Sequence, residues 1–373
     1  MREHTLLATA PMGIEAVVAK EVRNLGYECQ VENGKIIYKG DSLAIARSNL
    51  WLRTADRVKI IVGQFKATTF EQLFEQTKAL PWERYINQDN EFPVSGKSHK
   101  STLHSISDSQ AIVKKAIVER LKTKYRNTIW FEEKGPKVPI EVAILKDVVT
   151  ITIDTSGPGL HKRGYRVGQG DAPLKETLAA ALILLTNWKK DMPFVDLFCG
   201  SGTIPIEAAL IGQNIAPGFN RDFISEDWFW LDKKIWDEAR MEVEDLANYD
   251  EPLDILGTDI DGKMIEIAKA NALEAGLADV VHFKQMRATD FTTNKQNGVI
   301  VSNPPYGERL GEKAVVEELY RGLGNTLADL STWSIYMITS NEKFEEYFGK
   351  TATKKRKLFN GFIKTDYYQY WAK

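Results

Sequence analysis

Cysteine and histidine are scarce in this chain, two and five among 373 residues. Cys29 and Cys199 cannot build a disulfide framework, and so low a cysteine count fits a reducing cytoplasm. The histidines are scattered, and no Cys/His spacing matches a zinc site, so no metal is expected. His99 and His104 flank a Ser/Thr-rich stretch without nearby acids and read as surface loop residues. No apolar run approaches the roughly 20 residues of a membrane span. Residues 1–13 are too short and too polar a stretch for a secretory signal. Low-complexity tracts are missing as well. Net charge is nearly absent: 49 Lys and Arg against 51 Asp and Glu leave a formal −2. By itself that value neither favours nor excludes a nucleic-acid partner. Nothing in the sequence sets an oligomeric state.

What is present is enough chain for two or three domains, each able to bury a core. A composition of 43% hydrophobic and 27% charged residues is that of a soluble globular protein. The first half alternates short strands and helices. A strand candidate, His-Thr-Leu-Leu-Ala-Thr-Ala, precedes a helix with Ile14, Val17, Val18, Val22 and Leu25 at helical spacing, and Gly26 stops it. Residues 34–40 form a glycine-bounded strand, Asp41 can cap a second helix, and residues 57–65 form another strand. This β-α-β-α-β order predicts a ferredoxin-like α+β unit over 1–62. A second unit is expected over 63–155. It has a helix at 69–79, a helix capped by Asp108, and strands 138–145 and 148–154 turning at Lys146-Asp147. Residues 155–173 are rich in glycine and proline and read as a linker.

Beyond 156 the pattern changes to longer helices between apolar strands, the mark of a doubly wound α/β sheet. In Asp-Leu-Phe-Cys-Gly-Ser-Gly-Thr (196–203), Asp196 and Phe198 end a strand, and Gly200 and Gly202 turn the chain into a helix. Glycine there permits close backbone approach to a bulky cofactor. The third glycine of a dinucleotide fingerprint is replaced by Ile204-Pro205, and no Gly-Lys-Ser/Thr follows, which disfavours NAD and excludes a Walker loop. Asp259 ends the next strand, where a carboxylate can accept both hydroxyls of a ribose. Asp261 reads as a helix cap.

Asn303-Pro304-Pro305-Tyr306 follows the strand Gly-Val-Ile-Val-Ser. Two prolines stiffen this backbone. The Asn303 amide oxygen and the Pro304 carbonyl can accept both N–H bonds of an exocyclic amine, and Tyr306 can stack on the ring that carries it. Together with the glycine turn, this motif resembles the S-adenosylmethionine (SAM) dependent amino-methyltransferases. The resemblance implies a class I, Rossmann-like domain over 156–373, closed by an antiparallel hairpin at residues 354–371. It implies SAM as cofactor, held by Asp196, Phe198, Cys199, Gly200, Ser201, Gly202, Thr203, Asp259 and Ile260. The family usually places Asp where this chain has Arg287, which accepts no hydrogen bond. Adenine would then be held by backbone near Ala288, or by Asp290.

The segment from Leu160 to Ile183 is similar to the lead-in of the RlmL-type guanine-N2 methyltransferases, with Glu176 and Thr177 as polar pocket candidates or as helix caps. The aromatic, acidic stretch 220–246 reads as structural, with a partner contact as the alternative. Lys100-Ser101-x-Leu103 and the helix from Gln110 to Leu121 resemble the THUMP domain, an RNA-binding module. Residues 97–126 hold eight basic residues against Asp108 and Glu119. On charge alone this is a solvated helix face. The resemblance makes Lys97, Lys100, Lys114, Lys115 and Lys122 candidates for RNA contact. The resemblance to the RlmL-type enzymes implies N2-methylation of guanosine in large-subunit ribosomal RNA. The alternatives are N6-adenine methylation of DNA, a tRNA substrate, or a non-catalytic role in ribosome assembly.

Overall fold

A computed structural model describes residues 3–126, 130–170, 173–307 and 312–372. The chain divides into two compact units. The first comprises residues 1–10, 19–160 and 222–242, the second residues 11–18, 161–221 and 243–373. Among the described residues no helix is long and apolar enough to cross a membrane.

The elements of the N-terminal half are β1 (His4–Thr9), α1 (Glu15–Asn24), β2 (Cys29–Glu32), β3 (Lys35–Gly40), α2 (Ser42–Trp51) and β4 (Arg57–Lys66). They continue with α3 (Phe70–Ala79), β5 (Val94–His99), α4 (Ile106–Tyr125), β6 (Ile140–Leu145) and β7 (Val148–Asp154). Seven strands form one sheet in the order β2-β3-β1-β4-β7-β6-β5. Asp41 caps α2 as expected, its side chain accepting from the Ala44 amide. The β6–β7 turn has Lys146 and Asp147 at φ 50° and 63°, the geometry of a tight hairpin.

Three expectations need correction. The first unit holds an unforeseen strand, β2, joined to β3 across Asn33-Gly34. It is short and mostly exposed, so it shows no apolar alternation, but Asn-Gly is a hairpin signal. Asp108 does not cap α4. Ser105 does, and its hydroxyl donates to Asp108 at 2.6 Å in the first turn. Residues 155–173 are not a loose linker: Thr155, Ser156, Leu160, Arg163 and Tyr165 are buried. Asp171 and Ala172 of that stretch lie outside the described residues.

The aromatic stretch after residue 220 is structural. Phe223 stacks on Trp236 at 5.3 Å, and the Trp228 indole donates to the Lys137 carbonyl at 2.8 Å.

The C-terminal half runs α5 (Glu176–Leu184), β8 (Phe194–Asp196), α6 (Thr203–Gly212), α7 (Lys233–Leu246), β9 (Ile255–Asp259), α8 (Gly262–Glu274) and β10 (Val281–Gln285). Then come β11 (Val299–Ser302), α9 (Lys313–Leu327), β12 (Ser334–Thr339), α10 (Phe344–Phe348), β13 (Lys354–Asn360) and β14 (Ile363–Tyr370). The sheet order is β10-β9-β8-β11-β12-β14-β13. Strands β8 to β12 pair in parallel, and β14 and β13 close the edge antiparallel. Apolar cores cover both faces: Val299 and Val301 of β11 enter one, Ile300 the other. Burial on both sides explains why these strands read as continuous apolar runs. Strand order reverses between β8 and β11. In open parallel sheets the crevice beyond the strand ends at such a point takes the ligand.

Candidate functional site

The two chemical motifs of the sequence meet at this crevice. β8 ends at Asp196 and runs into the glycine turn; β11 ends at Ser302, and Asn303 follows. Gly200 and Gly202 have φ 50° and 85°, in the left-handed region that glycine enters without strain. A Cβ on Gly202 would stand 3.0 Å from side-chain carbons of both Ala268 and Phe283, so space as well as φ demands glycine. Two bonds pin the turn to β9: the Cys199 amide to the Thr258 carbonyl at 2.9 Å, and the Gly200 amide to Asp259 Oδ2 at 3.0 Å. The other Asp259 oxygen accepts from the Asp261 amide at 2.9 Å. Each oxygen keeps a second lone pair for a ligand hydroxyl. Asp261 itself caps α8.

Asp196 is buried, and among the described residues its Oδ2 has no hydrogen-bond partner. Burial raises its pKa to about 7, while the Phe198 amide and the Ser302 hydroxyl pull it down and Asp259 adds to the rise. This carboxyl lines a cavity of about 220 Å³ together with Phe198, Cys199, Gly200, Ser201 and Thr203. A larger cavity of about 710 Å³ shares Phe198 and Asn303 with it. Asp259, Ile260, Arg287, Ala288 and Thr289 line the larger one. Asp290 is exposed and absent from that wall, which leaves the 287–289 backbone as the candidate adenine contact.

Two residues that sequence reasoning passed over organise the cofactor side. The Arg166 guanidinium donates to Glu176 at 2.7 Å, Ser201 at 3.1 Å, Thr203 at 2.9 Å and the Leu174 carbonyl at 3.1 Å. Glu176 is therefore the partner of Arg166 and not a helix cap, and Thr177 is buried within α5 away from both cavities. The buried Asn271 amide uses all its capacity. It accepts from the Val167 and Gly168 amides at 2.8 and 3.2 Å and donates to the Gly168 and Ser201 carbonyls at 3.0 and 2.9 Å.

In the second motif the Tyr306 hydroxyl donates to Asn303 Oδ1 at 2.7 Å and accepts from the Asn360 amide at 3.2 Å. The Pro305 carbonyl is taken by the Tyr320 hydroxyl at 2.5 Å. Among the described residues no donor reaches the Pro304 carbonyl. Asn303, Pro304, Pro305 and Tyr306 all line the larger cavity. The free lone pair of Asn303 Oδ1 and the Pro304 carbonyl remain as acceptors.

The candidate RNA lysines fare less evenly. Lys114 is half-buried. Its ammonium donates to the Phe92 carbonyl at 2.9 Å, lies 2.6 Å from Glu133 and sits 3.5 Å above the Phe92 ring. Burial draws its pKa down, against the pull of Glu133. Lys114 is a structural cation and is withdrawn as an RNA contact. Lys97 pairs with Glu141 at 3.0 Å and Lys122 with Glu119 at 3.8 Å. Lys100 and Lys115 are exposed. Among the described residues no group of His, Cys, Asp and Glu side chains is placed to hold a metal.

Comparison with known proteins fits this geometry. Residues 163–369 match the family described as RMKL-like, methyltransferase domain. The chain belongs to this methyltransferase family. Residues 5–59 match the RlmL ferredoxin-like domain and 67–154 the THUMP domain. "Putative RNA methyltransferase YpsC" of Bacillus subtilis (strain 168) is 66% identical over all of this chain and 97% of that protein. The "Ribosomal RNA large subunit methyltransferase K/L" of Shewanella baltica (strain OS185) is 32% identical over 95% of this chain. This chain spans about half of the K/L protein, 51% of its length. The crystal structure of SMU.472 complexed with SAH has a TM-score of 0.96 and 53% identity, covering 100% of this chain and 99% of that one. A Listeria monocytogenes structure described as a predicted N6-adenine-specific DNA methylase has a TM-score of 0.96 and 62% identity, covering 100% and 97%. The RMKL-like domain here is a SAM-dependent methyltransferase. Its glycine turn, the unpartnered Asp196 oxygen and the open lone pairs of Asp259 suit a cofactor with an ammonium and a ribose.

Proposed function

We propose that this protein methylates the exocyclic N2 amine of a guanosine in structured RNA, with 23S ribosomal RNA as substrate. The observation that carries the reading is the pair of residues Asn303 and Pro304 lining one cavity at the crevice, each with acceptor capacity left, on Asn303 Oδ1 and on the Pro304 carbonyl. Bound SAM supplies an electrophilic methyl on a sulfonium. The chain's own task is to orient the amine. An exocyclic nitrogen is a weak nucleophile because its lone pair is delocalised into the ring. Accepting both N–H bonds fixes its direction and leaves more electron density on nitrogen. Positioning and charge matching then lower the barrier, without a strong general base. Tyr320, buried and bonded to the Pro305 carbonyl, keeps the two prolines in place. Tyr306 stacks on the target base, which must leave its helix to enter.

The RNA assignment draws on the THUMP match and on the K/L and YpsC relatives. The name of the Listeria structure favours a second reading, N6-adenine methylation of DNA. One experiment separates them. The protein is incubated with methyl-labelled SAM and, in parallel, with unmodified 23S rRNA transcript, tRNA transcript and duplex DNA. Nucleosides are then identified by mass spectrometry. N2-methylguanosine in the 23S transcript is the expected product. Label in tRNA alone moves the substrate, and N6-methyladenine in the DNA overturns the proposal.

A further inference from the structure

The β13–β14 hairpin reaches the wall of the larger cavity through Asn360 and Ile363, which pair in register at its tip. Between them only Gly361 and Phe362 close the turn. Gly361 has φ 63°, where a two-residue hairpin turn favours glycine at its first position. Nothing in that geometry asks for an aromatic at the second. Yet Phe362 is wholly exposed, at 106% of its reference area. A lone apolar side chain on a surface is ordinary. This one is distinguished by its place, held on a short turn between two residues of the cavity wall.

Charge points the same way. Residues 354–370 hold five basic residues and one acidic one, Asp366. Phe359 and Lys364 are register partners, and Lys357 shares their face of the strand pair, with Asp366 as its own register partner. Lys357 and Lys364 are exposed and make no ion pair among the described residues. The contrast with Lys97, Lys114 and Lys122, each neutralised by a glutamate, is direct.

We propose that this hairpin tip docks the RNA strand that delivers the target nucleotide, with Phe362 stacked on an unpaired base next to the target. The inference rests on the RNA reading given above. A base that enters the cavity leaves its neighbour without a stacking partner. An exposed ring at the rim replaces that partner whatever the base identity. Lys357 and Lys364 meet the phosphates of the strand as it passes over the tip.

The test uses the full-length protein and an unmodified 23S rRNA transcript. Phe362→Ala is expected to bind the transcript about tenfold more weakly than the parent. Phe362→Tyr keeps parental affinity, while Phe362→Leu falls with Phe362→Ala, because stacking needs a ring. The double variant Lys357→Glu/Lys364→Glu reduces the slope of log affinity against log salt by about 1.4, the value for two single-strand phosphate contacts. SAM affinity is the same in all variants. If the parent binds the transcript and Phe362→Ala binds and methylates it equally well, the hairpin inference is wrong. If Phe362→Leu matches Phe362→Tyr, the stacking role is wrong. A parent that ignores RNA and methylates duplex DNA refutes the RNA reading itself, and the docking of RNA with it.

Discussion

Lowering the pH from 7.5 to 5 should weaken SAM binding steeply, and Asp196 should be the reason. Its carboxyl lines the smaller cavity with Oδ2 unpartnered, and burial raises its pKa to about 7. A cationic ammonium favours the ionised form, so the cofactor selects the carboxylate. With a pKa near 7, about half of the free protein carries that carboxylate at pH 7 and about 1% at pH 5. Affinity should therefore fall about fifty-fold between those values. The cofactor's own ammonium, with an ordinary pKa of about 7.7–8.0, is mostly protonated below about pH 7, so the fall from there to pH 5 belongs to the carboxyl. Stability runs with the opposite sign. The folded pKa lies above the unfolded value of about 3.9, so the unfolded chain ionises first as pH rises. This group's contribution is fully present below about pH 4 and is lost as the pH climbs to about 7. Calorimetric titration of SAM in buffers of different ionisation enthalpy reads both affinity and protons released. At pH 6, binding should release close to one proton, and Asp196→Asn should abolish both the release and the pH slope. An affinity flat from pH 7.5 to 5, or a slope that survives in Asp196→Asn, refutes the reasoning.

Asn303→Ala should cut single-turnover methyl transfer at least about hundredfold, within the range of one lost transition-state hydrogen-bonding group, with SAM affinity nearly intact. Comparable turnover would mean that another group orients the amine. Asn271→Leu leaves the Val167 and Gly168 amides and the Gly168 and Ser201 carbonyls without partners. It should lower stability by on the order of 4 kcal/mol in urea titration, whereas a change below about 1 kcal/mol would mean the loop re-pairs on its own. Lys114→Met should cost about 2 kcal/mol of stability, because Glu133 loses its cation and keeps only the Phe92 amide. It should leave the salt dependence of RNA binding as in the parent, and a shallower slope would restore Lys114 to the RNA face.

Legibility followed the range of the interaction that sets each feature. The glycine turn could be read because φ 50° and 85° are local demands that Gly200 and Gly202 meet alone. β11 could be read because it is buried on both faces and its apolar run is unbroken. β2, four residues long and mostly exposed, left no such run. Asp108 reads as the cap of α4 because Ser and Asp are both good caps; the helix starts at Ile106, which puts Ser105 at the cap. Arg166 and Asn271 were invisible for another reason. Arg166 meets Ser201 across 35 positions, and Asn271 meets Val167 across 104. A side chain whose role is fixed by partners that distant carries no local mark. Lys114 was misread likewise, since its neutralising Glu133 lies 19 residues on, outside any window of charge counting.

The division of the chain has a consequence for its synthesis. The first unit includes residues 222–242, which leave the ribosome after about seventy residues of the second unit have already emerged. At roughly 5–20 residues per second, several seconds separate the end of β7 from the arrival of that segment. During this interval the nascent unit lacks Phe223, Trp228 and Trp236, three aromatics that are buried in its finished form. Its Thr155 carbonyl has yet to receive the Ser225 hydroxyl, and Arg47 its Glu242 carboxylate. Translation order and folding order therefore cannot coincide: the beginning of the protein waits, incomplete, for its middle.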